Sequence, residues 1–289
     1  MRDTLATYYK LTKPGIIYGN SLATIGGFLL ASQGNVDAGL FLATFFGISL
    51  VIAAACVYNN VLDRKIDKAM SRTKKRALPA GKVSVPIALI YGTLLGVGGF
   101  TLLVLFTNAL ATTVALIGLL FYVVVYGIAK RRTVHGTLIG TISGATPPVV
   151  GYVAVTSSLD TGALLLFMVL VFWQMPHFYA IALYRKKDYE AANIPVLPRV
   201  YGTRATVTQM VAYMSLFIIA VAQLTATGYT GYTYLIIMLV AGLLWLRLGL
   251  KGFLTPDKDI EKWAVKVFVR SLHMLMLFCV LISIDTWLP

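Results

Sequence analysis

The sequence predicts an all-helical integral membrane protein with nine transmembrane helices. Of its 289 residues, 58% are hydrophobic and only 12% are charged, a balance that soluble domains of this length do not have. The apolar residues fall into nine runs of about 20, which is the length that crosses a bilayer as a helix. The third observation is the placement of charge, because Lys and Arg cluster before the first run and in or beside every second gap between the runs.

The nine runs follow one another without a linker or a soluble domain, so we expect residues 1–289 to form one domain. No cleavable signal peptide is visible, and the first run is therefore expected to remain as a helix. The fifth run is interrupted by Gly144, Pro147, Pro148 and Gly151. The predicted spans are Gly15–Ser32, Gly39–Tyr58, Val85–Phe106, Ala109–Gly127, Gly136–Thr156, Ala163–Leu183, Val207–Thr227, Tyr232–Leu250 and Val267–Trp287.

The basic residues favour one orientation of these spans. If the spans alternate in direction, all 25 Lys and Arg residues fall on the side of the N-terminus. The opposite loops, around Gly34, Asn108, Ser157 and Gly228, contain none. By the positive-inside rule, the N-terminus is expected in the cytoplasm and the C-terminus outside, in a bacterial or archaeal cell membrane. The net charge of +14 is explained in this way, and it does not indicate a nucleic-acid partner.

An acidic motif at the end of the second span is the strongest candidate for a functional site. Asn59, Asp63 and Asp67 are spaced i, i+4, i+8, and Asn60 stands three residues before Asp63, so all four fall on one face of a helix. Carboxylate and amide oxygens are the ligands that Mg²⁺ prefers. A solvated loop with surface ion pairs is the alternative, but ionisable residues at a membrane helix end usually mark a site.

Basic residues follow this motif directly. Arg72, Lys74 and Arg76 could neutralise phosphate oxygens beside a metal ion, or they could be charge that only sets the topology. A second, weaker acidic site follows the sixth span, where Asp188 comes after Tyr184 and Arg185. Each acidic segment precedes a Leu-Pro pair, which suggests two half-sites that face each other across a bundle, although chance could also produce this repeat.

The sixth span contains His177 directly after Pro176, a residue that should kink the helix. A lone histidine inside a membrane often makes a hydrogen bond between helices, and it could instead bind or orient a haem iron. The ring of Tyr184 could face a developing cation or belong to the interfacial aromatic belt. Cys56 and Cys279 both lie in apolar runs, so we expect no disulfide and no metal site at them.

Several motifs together resemble the UbiA superfamily of intramembrane prenyltransferases, and most closely its haem-modifying branch. They are Leu11-Thr-Lys-Pro14, Asn59-Asn60-x-x-Asp63-x-x-x-Asp67, Arg72-Thr-x-x-Arg76, Gly144-Ala-x-Pro147-Pro148, Trp173-Gln-x-Pro-His177-Phe178 and Tyr184-Arg-x-x-Asp188. Other members carry further aspartates where this chain has Asn60 and Tyr184. These departures are also similar to the haem branch, and they argue against hydroxybenzoate or naphthoate as the acceptor.

The resemblance implies nine transmembrane helices around a central cavity, with the active site at the cytoplasmic side. It implies Mg²⁺-dependent transfer of a farnesyl group from farnesyl diphosphate to the vinyl group of haem b, giving haem O and diphosphate. The implied catalytic and metal-binding residues are Asp63, Asp67 and Asp188, with Asn60 as an additional ligand. The implied diphosphate contacts are Asn59, Arg72, Lys74, Arg76 and Arg185, and the contacts to haem or to the cation are His177 and Tyr184.

The sequence is also compatible with three other functions. A quinone or aromatic prenyltransferase of the same superfamily would use the same donor with another acceptor. A membrane transporter of an anionic metabolite would use the basic loops without chemistry, and a haem-binding assembly partner would consume no prenyl diphosphate. The expected partners are farnesyl diphosphate, haem b and the lipid bilayer, with haem A synthase or terminal oxidase assembly factors as candidate protein partners.

Overall fold

The computed structural model describes residues 2–289 of the chain, with side chains from residue 4 onward. These residues form helices joined by loops, of which the one between residues 70 and 84 is long, and contain no strand. The helices are α1 Arg2–Leu11, α2 Pro14–Ser32, α3 Ala38–Ala69, α4 Val85–Phe106, α5 Ala109–Arg132, α6 Gly136–Thr156, α7 Thr161–Tyr184, α8 Lys186–Ala191, α9 Leu197–Val200, α10 Gly202–Ala226, α11 Tyr232–Leu250 and α12 Ile260–Ile284.

Nine helices in residues 2–289 are long and apolar enough to cross a membrane, which confirms the predicted number. They are α2 to α7 and α10 to α12. The boundaries of Val85–Phe106 and Gly136–Thr156 match the predicted spans. The second and last spans differ most, because their helices continue beyond the apolar run, to Ala69 in α3 and from Ile260 in α12. The fourth and seventh helices also extend beyond their predicted spans, to Arg132 and from Gly202.

Helix α3 positions the acidic motif because it is longer than a bilayer is thick. Its 32 residues span about 48 Å at 1.5 Å per residue, against about 30 Å of hydrocarbon. The Asp37 carboxylate caps its first turn by accepting a hydrogen bond from the Leu40 backbone amide at 3.0 Å. The opposite end of α3 therefore carries Asn59, Asp63 and Asp67 out toward the membrane surface.

Helix α6 is continuous although it contains Pro147 and Pro148. A proline at position 147 has no N–H to donate to the carbonyl oxygen of Ser143, four residues earlier. The Thr146 hydroxyl donates to that oxygen instead, at 2.8 Å. The interruption that the sequence suggested is absent because a neighbouring side chain satisfies the freed carbonyl, as happens in membrane helices.

Glycines bring α2 and α6 into backbone contact. A Cβ atom added at Gly27 would lie 2.0 Å from the Pro148 carbonyl oxygen, and one added at Gly151 would lie 2.2 Å from that of Thr24. Small residues at such crossings let membrane helices pack closely. The interface holds α2 beside the helix that forms one wall of the cavity described below.

We expect Gly27→Ala to destabilise the folded protein by about 1–3 kcal/mol, because the added methyl group meets backbone that cannot move independently. The measurement is thermal unfolding of the purified protein in detergent. Gly98→Ala is the matched control, since its Cβ would find only the Leu50 Cδ1 atom at 3.8 Å, an ordinary contact. Equal melting temperatures for the two variants would contradict the close packing of α2 on α6.

Candidate active site

The helices surround a cavity of about 680 Å³ that has a polar and an apolar part. On α3, the lining residues change from Ile48 and Val51 to Asn59, Asp63 and Asp67 toward its C-terminal end. Apolar lining is also contributed by Ala115, Leu119, Leu170, Leu272 and Leu275. The charged lining residues are Lys13, Asp63, Asp67, Arg72, Arg76, Lys130 and Arg185. The cavity can therefore receive a molecule with an ionic head and an apolar tail.

Asp63 and Asp67 lie on one face of α3, as their spacing predicted, and that face lines the cavity. Asp67 is buried, with 5% of its surface exposed, and Asp63 is nearly so. Arg76 Nη1 contacts both carboxylate oxygens of Asp67, at 3.1 and 3.2 Å. Asp63 accepts hydrogen bonds from Lys130 and, at 3.0 Å, from Arg131. Each carboxylate is therefore held in place by basic side chains.

Asn60 has a different environment from the one the sequence predicted. Its side-chain nitrogen donates to the Leu11 carbonyl oxygen at 2.7 Å, and it does not line the cavity. Leu11 ends α1, where the last carbonyl groups of a helix have no partner within the helix. The side-chain nitrogen of Asn60 therefore holds α1 against α3, while its buried Oδ1 has no partner among the described residues, so the metal-binding role of Asn60 stays a prediction.

Lys13 reaches the same cavity from the turn between α1 and α2. Its backbone is left-handed, with φ 53° and ψ 65°, a conformation that costs a non-glycine residue about 1–2 kcal/mol. The ammonium group donates to Asn59 Oδ1 at 2.7 Å. Burial, with a smaller contribution from the nearby charges of Arg76 and Lys130, lowers the pKa of Lys13 to about 8.

Asn59 has an unused donor in the site. Its Oδ1 accepts from Lys13, which leaves the side-chain nitrogen as a donor, and this buried nitrogen has no partner among the described residues. A buried donor without a partner is unfavourable unless a ligand supplies an acceptor. Asn59 is therefore suited to bind an anion and not a metal ion.

The loops that follow α3 and α7 pack against each other. Met70, Ala182, Ile194 and Val196 form a small buried cluster between them. Asp188 Oδ1 accepts hydrogen bonds from the backbone and the hydroxyl of Ser71, at 3.1 and 2.7 Å. This contact brings the two acidic segments together, as the repeat in the sequence suggested.

The predicted three-carboxylate metal site does not form, however. Asp188 does not line the cavity, and within the described part of the chain no three His, Cys, Asp or Glu residues cluster closely enough to hold a metal ion. Of the predicted diphosphate contacts, Arg72, Arg76 and Arg185 line the cavity, whereas Lys74 is exposed outside it. The cavity is lined by five Lys or Arg residues and only two Asp residues, so the site favours a polyanion.

Aromatic rings line the wall next to the carboxylates. Helix α5 contains a π-helical segment, Phe121–Val125, of the kind often found at functional sites. Tyr122 and Tyr126 stack there with ring centroids 5.8 Å apart, and the Lys130 ammonium lies 4.9 Å from the centre of the Tyr126 ring. Tyr184, at the end of α7, also lines the cavity, and its ring lies 5.2 Å from the guanidinium of Arg185.

His177 lines the cavity about 12 Å along α7 from Arg185, toward the apolar part. Its ring stacks on Trp173 with centroids 4.8 Å apart, and it packs against Phe268 at 4.9 Å. Its Nδ1 atom lies 2.7 Å from the Ser271 hydroxyl on α12. The structure therefore gives His177 a hydrogen bond between helices and also a place in the cavity wall.

Sequence reasoning missed Lys13, Lys130 and Ser271. Lys13 lies in the Leu11-Thr-Lys-Pro14 motif of the resemblance, but neither lysine was given a role in the site. Lys130 is distant in sequence from Asp63, and Ser271 is 94 residues from His177. Nothing in the local sequence indicates these pairings, because they form only when α5 and α12 pack beside α3 and α7.

Comparisons with known proteins agree with this architecture. Residues 21–276 match the UbiA prenyltransferase family. A Yersinia pseudotuberculosis protein named protoheme IX farnesyltransferase is 48% identical over 279 residues, 96% of this chain and 94% of its own length. A solved structure from a study of digeranylgeranylglyceryl phosphate synthase has a TM-score of 0.79 at 22% identity, over 98% of this chain and 99% of that one.

A UbiA homologue from Archaeoglobus fulgidus, solved bound to DMAPP and Mg²⁺, has a TM-score of 0.70 at 12% identity. This similarity covers 93% of the present chain and 99% of the Archaeoglobus chain. Both solved structures have the fold described above. With the match over most of its length, the chain belongs to the UbiA prenyltransferase family.

Proposed function

We propose that this prenyltransferase transfers a farnesyl group from farnesyl diphosphate to a vinyl group of haem b, with water, to give haem O and diphosphate. The observation that carries the proposal is the cavity, in which a cationic part with two carboxylates continues into an apolar part that contains His177. The name of the 48% identical Yersinia protein supports farnesyl diphosphate and haem as the substrates.

The diphosphate group is expected to bind at the cationic part. Lys13, Arg72 and Arg185 line that part without a described ion pair, and the unpaired nitrogen of Asn59 adds a neutral donor. Charge-assisted hydrogen bonds to phosphate oxygens are among the strongest in proteins. Arg76 and Lys130 can move from the carboxylates to the phosphate oxygens if a divalent cation takes their place.

Asp63 and Asp67 fit a magnesium ion that binds together with the substrate. Proteins usually hold Mg²⁺ through one or two carboxylates plus substrate phosphates, and not through a complete cage of side chains. Two carboxylates one turn apart on α3, facing the cationic part, are suited to this arrangement. The Mg²⁺ and DMAPP bound to the Archaeoglobus homologue support it. When bound, magnesium would stabilise the charge that develops on the leaving diphosphate.

The remaining residues would guide the reaction after the allylic carbon–oxygen bond breaks. Tyr122, Tyr126 and Tyr184 line the cavity, and their ring faces would stabilise the farnesyl cation. The apolar lining holds the tail and keeps bulk water from the cation. The cation adds to the haem vinyl group, and one water molecule supplies the hydroxyl group of the product. His177 is the proposed haem contact.

Asp188 is proposed to act through Ser71, because Oδ1 already accepts two hydrogen bonds from that residue. We expect Asp188→Asn and Ser71→Ala to lower turnover by similar factors, about 5- to 20-fold, since each loosens the contact between the two loops. Steady-state rates of the purified variants measure this. A loss of more than about 100-fold in Asp188→Asn alone would instead support the metal-binding role that the sequence predicted.

The site is proposed to face the cytoplasm, because it lies at the ends of the helices that carry the basic loops. Residues after Trp287 would then lie outside. An alkaline phosphatase domain fused to the C-terminus of the full chain should be active in a bacterial host, and a fluorescent protein that folds only in the cytoplasm should not be. The reverse result would place the site on the outer side.

The reaction is tested by mass spectrometry of haem extracted after incubation of the purified protein with farnesyl diphosphate, haem b and Mg²⁺. The expected product is haem O, and its formation should stop when EDTA is added. Parallel incubations with hydroxybenzoate and naphthoate should give no prenylated product. A prenylated aromatic acid without haem O would replace the proposal with an aromatic prenyltransferase.

A further inference from the structure

We propose that Ser271 is a positioning residue that fixes the His177 imidazole in the tautomer protonated at Nδ1, so that Nε2 presents its lone pair to the cavity as an axial ligand for haem iron. The identity of the ligand as haem rests on the proposed function. The tautomer and the direction of the ring rest on the hydrogen bonds of α7 and α12.

The tautomer follows from the single proton of the Ser271 hydroxyl. Its oxygen lies 2.6 Å from the Phe268 carbonyl oxygen and 2.7 Å from His177 Nδ1. A carbonyl oxygen can only accept, so the hydroxyl proton must point toward Phe268. The hydroxyl can then only accept from His177, which requires a proton on Nδ1 and leaves Nε2 unprotonated.

The ring has little freedom to turn away from this arrangement. Trp173 stacks on one side with an interplanar angle of 27°, and Phe268 packs at 4.9 Å. No described residue bonds Nε2, and His177 lines the cavity with 8% of its surface exposed. A neutral imidazole with a free Nε2 and an anchored Nδ1–H is the form in which histidine binds metals.

The hydroxyl of Ser271 can be removed without removing the other contact of this residue with α7. Its backbone carbonyl accepts the Trp173 indole N–H at 2.6 Å, and that contact does not involve the side chain. Ser271→Ala therefore removes the partner of His177 while the link between α7 and α12 remains. Ser283 on the same helix has a hydroxyl that donates to the Cys279 carbonyl at 2.6 Å, which makes Ser283→Ala the matched control.

The test is titration of the purified full chain with ferric haem b, followed by absorption and EPR spectra. The wild-type protein should show histidine-ligated iron, and His177→Ala should lose that signature. Ser271→Ala should bind haem about 10- to 100-fold more weakly with a heterogeneous iron signal, the size of effect seen when the outer partner of a metal-binding histidine is removed. Ser271→Thr should restore both properties, and Ser283→Ala should match the wild type.

A second measurement reads the tautomer without altering Ser271, in case Ser271→Ala does not fold. The chain has three histidines, and His135 and His273 are exposed. In ¹⁵N-histidine-labelled protein carrying His135→Gln and His273→Gln, the remaining signal should be that of the Nδ1–H tautomer. An Nε2–H signal would overturn the proposal, as would unchanged haem affinity and spectra in Ser271→Ala.

Failure of this inference is distinguishable from failure of the proposed function. If the protein makes haem O but its iron shows no histidine ligand, the role of Ser271 and His177 is wrong and the reaction stands. If the protein neither binds haem nor makes haem O, and prenylates another acceptor, the proposed function itself is wrong.

Discussion

Asp67→Asn is expected to lower farnesyl transfer by at least about 10²–10³-fold, because the substitution removes a charged oxygen ligand where the diphosphate leaves. Asp67 is buried, faces the cavity and is placed by Arg76 at 3.1 Å. Asparagine has nearly the same shape, so the helix and the cavity should be preserved. The measurement is haem O formation at saturating farnesyl diphosphate and Mg²⁺.

Asp63→Asn should have an effect of similar size, since Asp63 faces the same cavity one turn earlier on α3. Asp257→Asn is the control, because Asp257 is exposed and lies away from the cavity. Thermal unfolding in detergent must show that the variants insert and fold. Haem O synthesis near the wild-type rate by either Asp63→Asn or Asp67→Asn would contradict the role of these carboxylates.

The second large effect is expected at Lys13, and it depends on pH. Burial lowers the pKa of Lys13 to about 8, so its ammonium group is charged below that pH and loses its proton above it. Because the charged form attracts diphosphate, kcat/KM for farnesyl diphosphate should fall as the pH rises through about 8. Lys13→Met should raise KM roughly 10- to 100-fold at neutral pH, which is the effect expected from the loss of one charge-assisted hydrogen bond.

Lys13→Arg separates this titration from other effects of pH. Arginine keeps its charge throughout this range, so the fall above about pH 8 should disappear even if the absolute rate is reduced. kcat/KM reports groups of the free enzyme, which is the state to which the lowered pKa belongs. The same alkaline decline in Lys13→Arg would show that another group controls diphosphate binding.

Most of the fold could be predicted from the sequence because the bilayer imposes simple rules. Apolar runs of about 20 residues and basic loops on one side determine the number and order of the helices. The predicted helix boundaries were wrong where a helix extends past the end of its apolar run. The last turns of α3, up to Ala69, are polar but still helical. The first turns of α12, from Ile260, are likewise polar and helical.

Helical spacing alone could predict only the part of the site that lies on one helix. The spacing of Asn59, Asp63 and Asp67 was enough to place all three on one face of α3, and that face lines the cavity. Asn60 also has helical spacing to Asp63 and Asp67, but its side-chain nitrogen donates to the Leu11 carbonyl oxygen at the end of α1. Competition of this kind depends on which helix packs alongside, and a local pattern does not contain that information.

Contacts between distant segments determine the rest of the site. Lys13 meets Asn59, and Ser71 meets Asp188 across 117 residues, only after the loops have folded against each other. The sequence suggested that the two acidic segments face each other, and they do meet, but through Ser71. The predicted direct cluster of three carboxylates does not form in the described residues.

The central claim is that Asp63 and Asp67 hold a divalent cation together with the diphosphate of the prenyl donor. The most direct test replaces Mg²⁺ with Mn²⁺ and measures ³¹P hyperfine coupling by pulsed EPR, with farnesyl diphosphate and protein in excess over the metal. The wild type and Asp257→Asn should show protein-bound Mn²⁺ coupled to phosphorus, and both Asp63→Asn and Asp67→Asn should lose it. An unchanged protein-bound signal in these two variants would contradict the account.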